Sequence, residues 1–349
     1  MNAHTNFLDL EKTELQAWCQ AQAFPAFRAK QLYQWQSKGL SDFSAMANLP
    51  LALRDQLAKD FWPGVPQIQQ VQSSSQADSQ KFLFAYPDGE TIEAVLMSYH
   101  YGLSACLSSQ IGCHMACRFC ASTGLALKRN LTRGDLLGQF LALEHYSGRA
   151  ISNLDLMGIG EPLDNYTEVM AFIRRLVAPD FRNFSARRIS LSTCGLIEKI
   201  YDLAREGLGL TLAISLHAPD QALREKLMPI AKTNPLTDLV QAADFYFAQT
   251  GRRVSYEYAL FAGINDSLEQ AKALAQLLRG RNCHVNLIPA NEVDGSPLKS
   301  TPPSQVQAFA RTLQGQGINA TIRRSLGQDI DAACGQLRRR SLLAGPASK

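Results

Sequence analysis

The sequence contains no run of about eighteen consecutive apolar residues, so it offers no candidate for a transmembrane helix. Residues 1–12 carry charges and lack a sustained apolar segment, so we expect no secretory signal peptide and a cytoplasmic location. In a reducing cytoplasm the eight cysteines stay reduced unless they bind metal or cycle during catalysis. A framework of structural disulfides is therefore not expected.

A strong net charge is also absent, since the chain carries only +4 and has a sequence pI of about 8.6. Such a mild charge does not by itself predict a nucleic-acid partner. The basic residues are nevertheless clustered, and each cluster alone is typical of a solvated surface. Their recurrence modestly favours contacts with phosphate. The clusters are Lys128-Arg129, Arg174-Arg175, Arg187-Arg188, Arg252-Arg253, Arg323-Arg324 and Arg338-Arg339-Arg340.

The length of 349 residues and the hydrophobic content of 46% allow two domains, or one barrel-sized domain with an appendage. Apolar residues at helical spacing predict three N-terminal helices, and a turn at residues 87–89 predicts a hairpin after them. The helices are predicted at residues 10–22, 27–35 and 51–61, and the hairpin strands at 81–86 and 91–97.

From residue 105 onward, short apolar strands alternate with amphipathic helices, which predicts a parallel sheet with helical crossovers. The predicted fold class is α/β, a partial TIM-like barrel of six β/α units. The strands are predicted at residues 105–108, 154–157, 189–192, 210–215, 254–260 and 284–288, and the helices at 131–146, 166–176, 197–206, 236–249 and 268–278. The predicted domain boundaries are 1–72 (helical), 73–104 (hairpin connector), 105–337 (barrel) and 338–349 (a basic, disordered tail).

The cysteines Cys113, Cys117 and Cys120 have the spacing C-x3-C-x2-C. Three thiolates can ligate three corners of a 4Fe-4S cluster, which leaves one iron open for chemistry. A structural zinc site is the alternative, because His114 or Cys106 could complete a set of four ligands.

Polar or glycine-rich segments follow the predicted strands, where parallel barrels place their functional loops. Each residue taken alone could equally be a satisfied polar group at a strand end. Glu161 could accept hydrogen bonds from a ligand amine or hydroxyl. The segments are residues 158–162, 192–195, 215–217 and 289–291.

Two further cysteines lie in unusual surroundings. Cys106 lies on the predicted strand that leads into the cysteine motif. Cys334 lies among small residues, which would let another group approach its sulfur. Cys19, Cys194 and Cys283 fit the ordinary role of buried structural cysteines.

These stretches resemble the radical S-adenosylmethionine superfamily and, within it, the RlmN/Cfr family of RNA adenine methyltransferases. The resemblance extends from about residue 24 to residue 337. The cysteine motif alone specifies the superfamily, whereas the C-terminal Asp-Ile-Asp-Ala-Ala-Cys-Gly-Gln-Leu specifies the family. The matching stretches are residues 106–120, 128–132, 157–163, 214–217 and 329–337.

The resemblance implies a role for each matching residue. Cys113, Cys117 and Cys120 would ligate a 4Fe-4S cluster, Cys334 would accept a methyl group, and Cys106 would be its thiol partner. Glu93 matches the proton acceptor of the family, although a packing role is the alternative. The expected S-adenosylmethionine contacts are Gly160, Glu161, Ser192, Ser215, Leu216, His217 and Asn291.

The family's chemistry explains why two thiols are needed. The C2 and C8 carbons of adenine are poor nucleophiles, so the methyl group passes first to a cysteine thiolate. The resemblance implies two molecules of S-adenosylmethionine per turnover, one as methyl donor and one as radical source, and release of the product through a transient Cys106–Cys334 disulfide.

The resemblance favours C2 methylation of adenosine in 23S ribosomal RNA, with transfer RNA as a further substrate. Pro162 agrees with the RlmN branch, whereas the loop at residues 290–292 departs from it. A Cfr-type C8 methyltransferase, a radical enzyme with a non-RNA substrate and a zinc-containing RNA-binding module are the alternatives. We expect a monomer that receives electrons from a flavodoxin or ferredoxin and a helical N-terminal domain that contacts RNA.

Overall fold

The computed structural model describes residues 5–76, 78–290, 297–323 and 337–338. The helices within these ranges are α1 (Lys12–Ala21), α2 (Phe27–Lys38), α3 (Leu51–Asp60), α4 (Arg133–Ser147), α5 (Tyr166–Val177), α6 (Ile197–Arg205), α7 (Gln221–Leu227), α8 (Leu236–Thr250), α9 (Leu268–Leu278) and α10 (Pro303–Gly315). Short 3-10 helices occur at Phe7–Asp9, Phe43–Ala45, Ala186–Arg188 and Pro229–Lys232.

The strands in the same ranges form one large sheet and two small ones. They are β1 (Thr5–Asn6), β2 (Phe61–Trp62), β3 (Gln67–Ser73), β4 (Ser79–Ala85), β5 (Thr91–Tyr99), β6 (Gly102–Cys106), β7 (Gln110–Ile111), β8 (Arg129–Asn130), β9 (Ile151–Leu156), β10 (Ile189–Thr193), β11 (Thr211–Ser215), β12 (Val254–Leu260), β13 (Cys283–Pro289) and β14 (Ala320–Ile322).

The three predicted N-terminal helices are present as α1, α2 and α3. Their apolar residues, such as Leu15, Leu32 and Leu53, are fully buried in the core. The short strands β1 and β2 pair in parallel at the two ends of this helical region. The strand β3 begins at Gln67, so the helical part ends before the predicted boundary at residue 72.

The six predicted parallel strands are present as β6, β9, β10, β11, β12 and β13, and each pairs with the next along the chain. The short strand β14 adds a seventh at the edge. This sequential order of parallel strands, connected by helices, confirms the partial α/β barrel.

The predicted hairpin is present as β4 and β5, and it continues the sheet of the barrel. The strand β5 pairs antiparallel with β6, so β3, β4 and β5 extend the barrel sheet to ten strands. The physical reason is the tight connection between Tyr99 and Gly102, which pair directly across the turn. A chain that turns this tightly lays β5 beside the first barrel strand.

The strand register gives the sheet two different faces, because paired residues on adjacent strands point the same way. Leu96, Ala105, Leu154 and Ile189 form one such row, and all are buried against the helices. The neighbouring row lies on the opposite, inner face of the barrel and is largely polar: Lys81, Val95, Cys106, Asp155 and Ser190.

The beginning of the predicted tail is folded. Arg338 was assigned to the disordered segment, but it is 2% exposed and its side chain lies 3.4 Å from Glu90. Burial of the guanidinium beside a carboxylate explains why this residue belongs to the folded part. The rest of that predicted segment lies outside the described residues. Among the described helices, none is both long and apolar enough for a membrane span.

Candidate functional site

The three motif cysteines lie on one loop between β7 and β8, directly after the first barrel strand. All three are half-buried. The backbone N–H of Arg118 donates to the carbonyl of Leu227 at 2.9 Å, which fastens the loop to the end of α7. We call the carboxyl ends of the parallel strands, together with this loop at residues 112–128, the cysteine rim.

Gly112 is needed where the cysteine loop begins. Its φ of +89° is one that other residues rarely adopt, and an added Cβ would lie 2.1 Å from the carbonyl oxygen of Ala126. The two arms of the loop approach each other closely at this point. The glycine therefore lets the loop close on itself.

The motif thiols influence one another electrostatically. Burial raises the pKa of Cys113 to about 11 and that of Cys117 to about 12, and the neighbouring cysteines add to both shifts. Buried thiols of this kind become thiolates when a cationic metal centre supplies the compensating charge. The donor set therefore fits a metal centre.

The number of motif thiols suits a 4Fe-4S cluster. Such a cluster places each thiolate on a different iron, and three thiolates leave the fourth iron open. Three half-buried thiols on one loop are compatible with such a cluster.

Apolar side chains surround the cysteine loop. Met115, Leu227, Met228 and Phe261 form a buried cluster, and Cys113 and Cys117 pack against it. A dry environment strengthens electrostatic interactions and limits side reactions of reactive species. The surroundings therefore suit redox chemistry at the cysteine rim.

His217 links the cysteine loop to the end of β11. Its ring lies 4.4 Å from the ring of Phe119, edge to face, and its Nδ1 accepts the backbone N–H of Ala259 at 2.9 Å. Burial lowers the pKa of His217 to about 3, so the imidazole is neutral and carries its proton on Nε2. The amide of Asn265, which the sequence did not single out, donates to the His217 carbonyl at 2.9 Å.

Glu161 connects the loops that follow β9 and β10. Its carboxylate accepts the backbone N–H of Cys194 at 2.7 Å and that of Leu163 at 3.0 Å. Burial raises the pKa of Glu161, while these hydrogen bonds oppose the shift. The carboxylate thus already binds two protein groups, which fixes its orientation toward any ligand.

Gly160 and Gln110 hold the same region to the cysteine loop. Gly160 has a φ of +105°, and an added Cβ would lie 2.7 Å from Gln110. The side-chain oxygen of Gln110 accepts the N–H of Glu161 at 2.9 Å, and its amide donates to Asp164 at 2.6 Å. Gln110 carried no signal in the sequence beyond its nearness to the motif.

Ser192 and Ser215 lie at the ends of β10 and β11 on the inner face. Leu216 is buried, and its N–H donates to the carbonyl of Glu257 at 3.0 Å.

Glu257 and Asp155 are two carboxylates on the inner face of the barrel that the sequence did not single out. Burial raises the pKa of both carboxyl groups. Glu257 accepts a hydrogen bond from the Asn286 amide at 2.8 Å, and Asp155 accepts one from the Ser104 hydroxyl at 2.9 Å. Polar residues alternating with leucines along the strands were the available signal.

Glu93 and Cys106 lie on neighbouring strands of the same inner face. Both are buried, and the Lys81 ammonium lies 3.5 Å from the Glu93 carboxylate. The backbone N–H of Arg338 donates to the same carboxylate at 2.5 Å. Cys334 and Asn291 lie outside the described residues.

Two family models match the chain. "Ribosomal RNA large subunit methyltransferase N-terminal domain" matches residues 5–61, and "Radical SAM superfamily" matches residues 107–275. Among solved structures, a radical SAM methyltransferase from Sphaerobacter thermophilus superposes with a TM-score of 0.91 at 40% identity and covers 95% of this chain and 98% of its own.

Curated relatives agree with these matches. A "Probable dual-specificity RNA methyltransferase RlmN" from Clostridium tetani is 45% identical over 335 residues, which is 96% of each chain. The protein of the same description from Clostridium acetobutylicum is 46% identical and covers 96% of this chain and 97% of its own. The chain belongs to the RlmN family of radical SAM methyltransferases.

Proposed function

We propose that this protein methylates C2 of an adenosine in RNA, with S-adenosylmethionine as methyl donor and radical source. The relatives are described as RNA methyltransferases. The observation that carries the proposal is that Glu93 and Cys106 lie on adjacent strands of the inner face, with the N–H of Arg338 donating to the Glu93 carboxylate. Arg338 follows Cys334 by four residues, which span at most about 14 Å of chain.

Cys113, Cys117 and Cys120 would hold a 4Fe-4S cluster, which supplies the electron for cleavage of S-adenosylmethionine when bound. The protein itself contributes side chains that hold the cofactor in position. Glu161 and His217 are held rigidly by backbone groups, so they would present a fixed surface to the cofactor. The proposed cofactor contacts are Gly160, Glu161, Ser192, Ser215, Leu216, His217 and Asn291.

Cys334 would accept the methyl group as a thiolate. Once the radical that S-adenosylmethionine supplies has removed one hydrogen atom from this methyl group, its carbon would be joined to C2 of the adenine ring. Glu93 would take the proton that leaves C2. The Cys106 thiolate would attack the Cys334 sulfur, so that an S–S bond forms as the S–C bond breaks, and the released carbon would gain a proton and give up the unpaired electron as the methylated RNA leaves. The inner-face pairing of β5 with β6 supports this division of roles, because Cys106 pairs with Val95, two residues from Glu93 on the same face.

Large-subunit ribosomal RNA is the favoured substrate, with transfer RNA as a further one. Proteins of this kind need an external one-electron donor, for which a flavodoxin or ferredoxin has suitable chemistry. We further infer a cytoplasmic monomer that uses two molecules of S-adenosylmethionine per turnover.

The direct test is mass spectrometry of nucleosides after anaerobic incubation of the reconstituted protein with S-adenosylmethionine, a reductant and unmodified RNA. Ribosomal and transfer RNA are supplied separately. We expect 2-methyladenosine, and the RNA that carries it identifies the substrate. Formation of 8-methyladenosine would assign C8 instead, and 5′-deoxyadenosine without a methylated nucleoside would contradict the RNA substrate.

The cluster ligands can be tested without turnover. Cys117→Ala should lose iron and the brown absorbance, because a motif ligand is gone. Cys194→Ala is the matched control, since Cys194 is buried in the same apolar cluster but lies outside the motif. Equal iron content in the two variants would contradict the assignment of Cys117.

A further inference from the structure

The end of the barrel opposite the cysteine rim is rich in arginine. The parallel strands all begin at this end, and the turns that lead into four of them carry basic residues. We call this set the arginine rim: Arg149 before β9, Arg187 and Arg188 before β10, Arg252 and Arg253 before β12, and Arg279 and Arg281 before β13.

The sheet brings most of these arginines close together. The strands β10, β11, β12 and β13 are consecutive neighbours, each about 4.8 Å from the next. The Arg252 guanidinium reaches across this distance, since its Nη2 lies 3.1 Å from Thr211 Oγ1 and 3.5 Å from the carbonyl oxygen of Arg187. The turns before β10 and β12 therefore form one continuous surface.

Two carboxylates at this end of the barrel are already paired. Asp244 lies 3.0 Å from Arg281, and Glu206, before β11, pairs with Arg174. Arg187, Arg188, Arg253 and Arg279 are exposed, and no ion pair involves them in the ranges that the structure describes. Exposed guanidinium groups bind phosphate oxygens bidentately, whereas a solvated surface of mixed charge does not attract an anion.

A cavity of about 320 Å³ opens on the arginine rim, between α8, the start of β12 and the turn before β13. Half-buried Phe247 lines it, and Tyr256 lies beneath it, 1% exposed. Arg279, Asn282 and the Asp244–Arg281 ion pair also line it, and the first two offer hydrogen-bond donors. Its size is in the range of small-molecule sites, and an accessible aromatic ring beside basic side chains is typical of sites that bind nucleobases.

We propose that the arginine rim and this cavity form a second nucleotide-binding site, which takes one base of single-stranded RNA in the cavity and adjacent phosphates on Arg253 and Arg279. Exposed guanidinium groups spread over several strands suit consecutive phosphates better than the single phosphate of a free nucleotide. The choice of RNA over a free nucleotide rests on the proposed function.

An acidic electron-donor protein is the competing occupant of a basic surface, but the observations favour RNA. A strand of seven residues is about 23 Å long, so a donor at the arginine rim would lie far from the cysteines. The cavity would also have no purpose in such a complex. A strand of RNA, by contrast, can contact both ends of the barrel.

The site can be located by ultraviolet crosslinking of 4-thiouridine-substituted single-stranded RNA to the full-length reconstituted protein, followed by peptide mapping. Crosslinks are expected in peptides that contain residues 243–256 or 279–283. Adenosine monophosphate is added as a competitor in a parallel sample. If it displaces the RNA at equal nucleotide concentration, the RNA assignment is overturned in favour of a free nucleotide.

Variants separate the phosphate contacts from the base contact. Arg253→Ala combined with Arg279→Ala should reduce the salt dependence of RNA affinity, with the slope of log K against log salt falling by about 0.7 for each phosphate that is no longer neutralised. Phe247→Leu should weaken binding about fivefold or more and leave the slope unchanged. Arg311→Ala, which removes an exposed arginine from the middle of α10, is the control and should change neither quantity.

Absence of crosslinks from both peptides, or an unchanged slope in the double arginine variant, overturns the inference. A variant that loses affinity for a flavodoxin but keeps its RNA affinity also overturns it, in favour of a donor surface. Methyl transfer is not part of these readouts. Crosslinking at the arginine rim in a protein that makes no methyladenosine would support this inference and contradict only the proposed function.

Discussion

Individual buried polar residues give the cysteine rim its shape. Glu161, His217 and Asn265 each bind backbone groups on a different strand end, at distances from 2.7 to 3.0 Å. A buried polar group that loses its partner costs about 1–3 kcal/mol, so these bonds hold the loops in one arrangement. The rim is therefore positioned by side chains that need not react themselves.

The proposed role of Cys106 predicts a trapped intermediate. Cys106→Ala should leave the protein covalently attached to RNA, because the carbon–carbon bond forms but no thiol can displace Cys334. Denaturing gel electrophoresis of the reaction with labelled RNA measures the adduct. Cys19→Ala, which removes another buried thiol, in the helical region, should release methylated RNA normally. Normal release by Cys106→Ala would contradict the role.

Asp9 predicts a pH-dependent contribution to stability. Its carboxylate accepts the N–H of Gly134 at the start of α4, and burial raises its pKa to about 6. A raised pKa means that the folded state keeps the proton up to a higher pH than the unfolded state does. The contribution of Asp9 is therefore complete below the ordinary pKa near 3.8 and is lost as the pH rises through about 6.

Asp9→Asn keeps an acceptor for Gly134 but cannot ionise. Its free energy of unfolding, relative to that of the natural protein, should increase as the pH rises through about 6, and urea denaturation on either side of this pH measures the difference. Asp9→Ala removes the acceptor and should be destabilising on both sides. Parallel pH curves for the natural protein and Asp9→Asn would show that Asp9 is not the titrating group.

At the scale of elements, α4 joins the helical region to the barrel. Its first turn is closed by a capping box, in which Thr132 accepts the N–H of Asp135 at 3.1 Å and Asp135 accepts the N–H of Thr132 at 3.2 Å. Asn6 of β1 also donates to Asp135 at 3.1 Å. The start of α4 is thus bound to a strand far away in sequence.

The close packing of α4 makes Gly138 sensitive to substitution. An added Cβ would lie 2.1 Å from the carbonyl oxygen of Gly64, so Gly138→Ala should destabilise the fold by about 1–3 kcal/mol despite the better helix propensity of alanine. Gly315→Ala in α10 is the control, because a Cβ there meets no atom within 4 Å. It should be neutral or stabilise by up to about 1 kcal/mol. Thermal unfolding of both variants measures the contrast.

At the scale of the whole molecule, the helical region docks on the barrel through a buried arginine. Arg175 on α5 donates to the carbonyls of Leu8 and Leu10 at 2.5 and 2.8 Å, and it also lies 2.9 Å from the Glu11 carboxylate. One guanidinium therefore satisfies several groups of the N-terminal segment at once. Few other residue types could replace it.

Arg175→Met should cost about 2–4 kcal/mol, because it leaves the Leu8 carbonyl without a donor and removes a buried guanidinium from the Leu10 carbonyl and Glu11, which keep Gln36 and Arg133 as partners. Hydrogen exchange should rise in α1 and α2 more than in the barrel strands. Arg174→Met is the matched control, since Arg174 is exposed and its ion pair with Glu206 is worth at most about 1 kcal/mol. Equal exchange in the two variants would contradict the docking role.

Local patterns along the chain were sufficient to predict most of the longer elements of this protein, although α7, α10, β3 and β14 were not predicted. The helix α9 and the strand β12 have the predicted bounds, because hydrophobic periodicity and capping signals such as Ser267 are encoded within a few residues. The cysteine motif could likewise be found from spacing alone, since its three cysteines lie on one short loop.

Only the tertiary structure decided which distant residues meet. Strand register places Asp155 beside Cys106, and it joins the predicted hairpin to the barrel sheet. Folding also buries Arg338 against Glu93, although 245 residues separate them in the chain. Register and long-range contacts depend on how whole elements pack, which no local window of sequence contains. The chain's own spacing therefore determined most of its elements and its cysteine motif, whereas packing decided the inner polar face and the arginine rim.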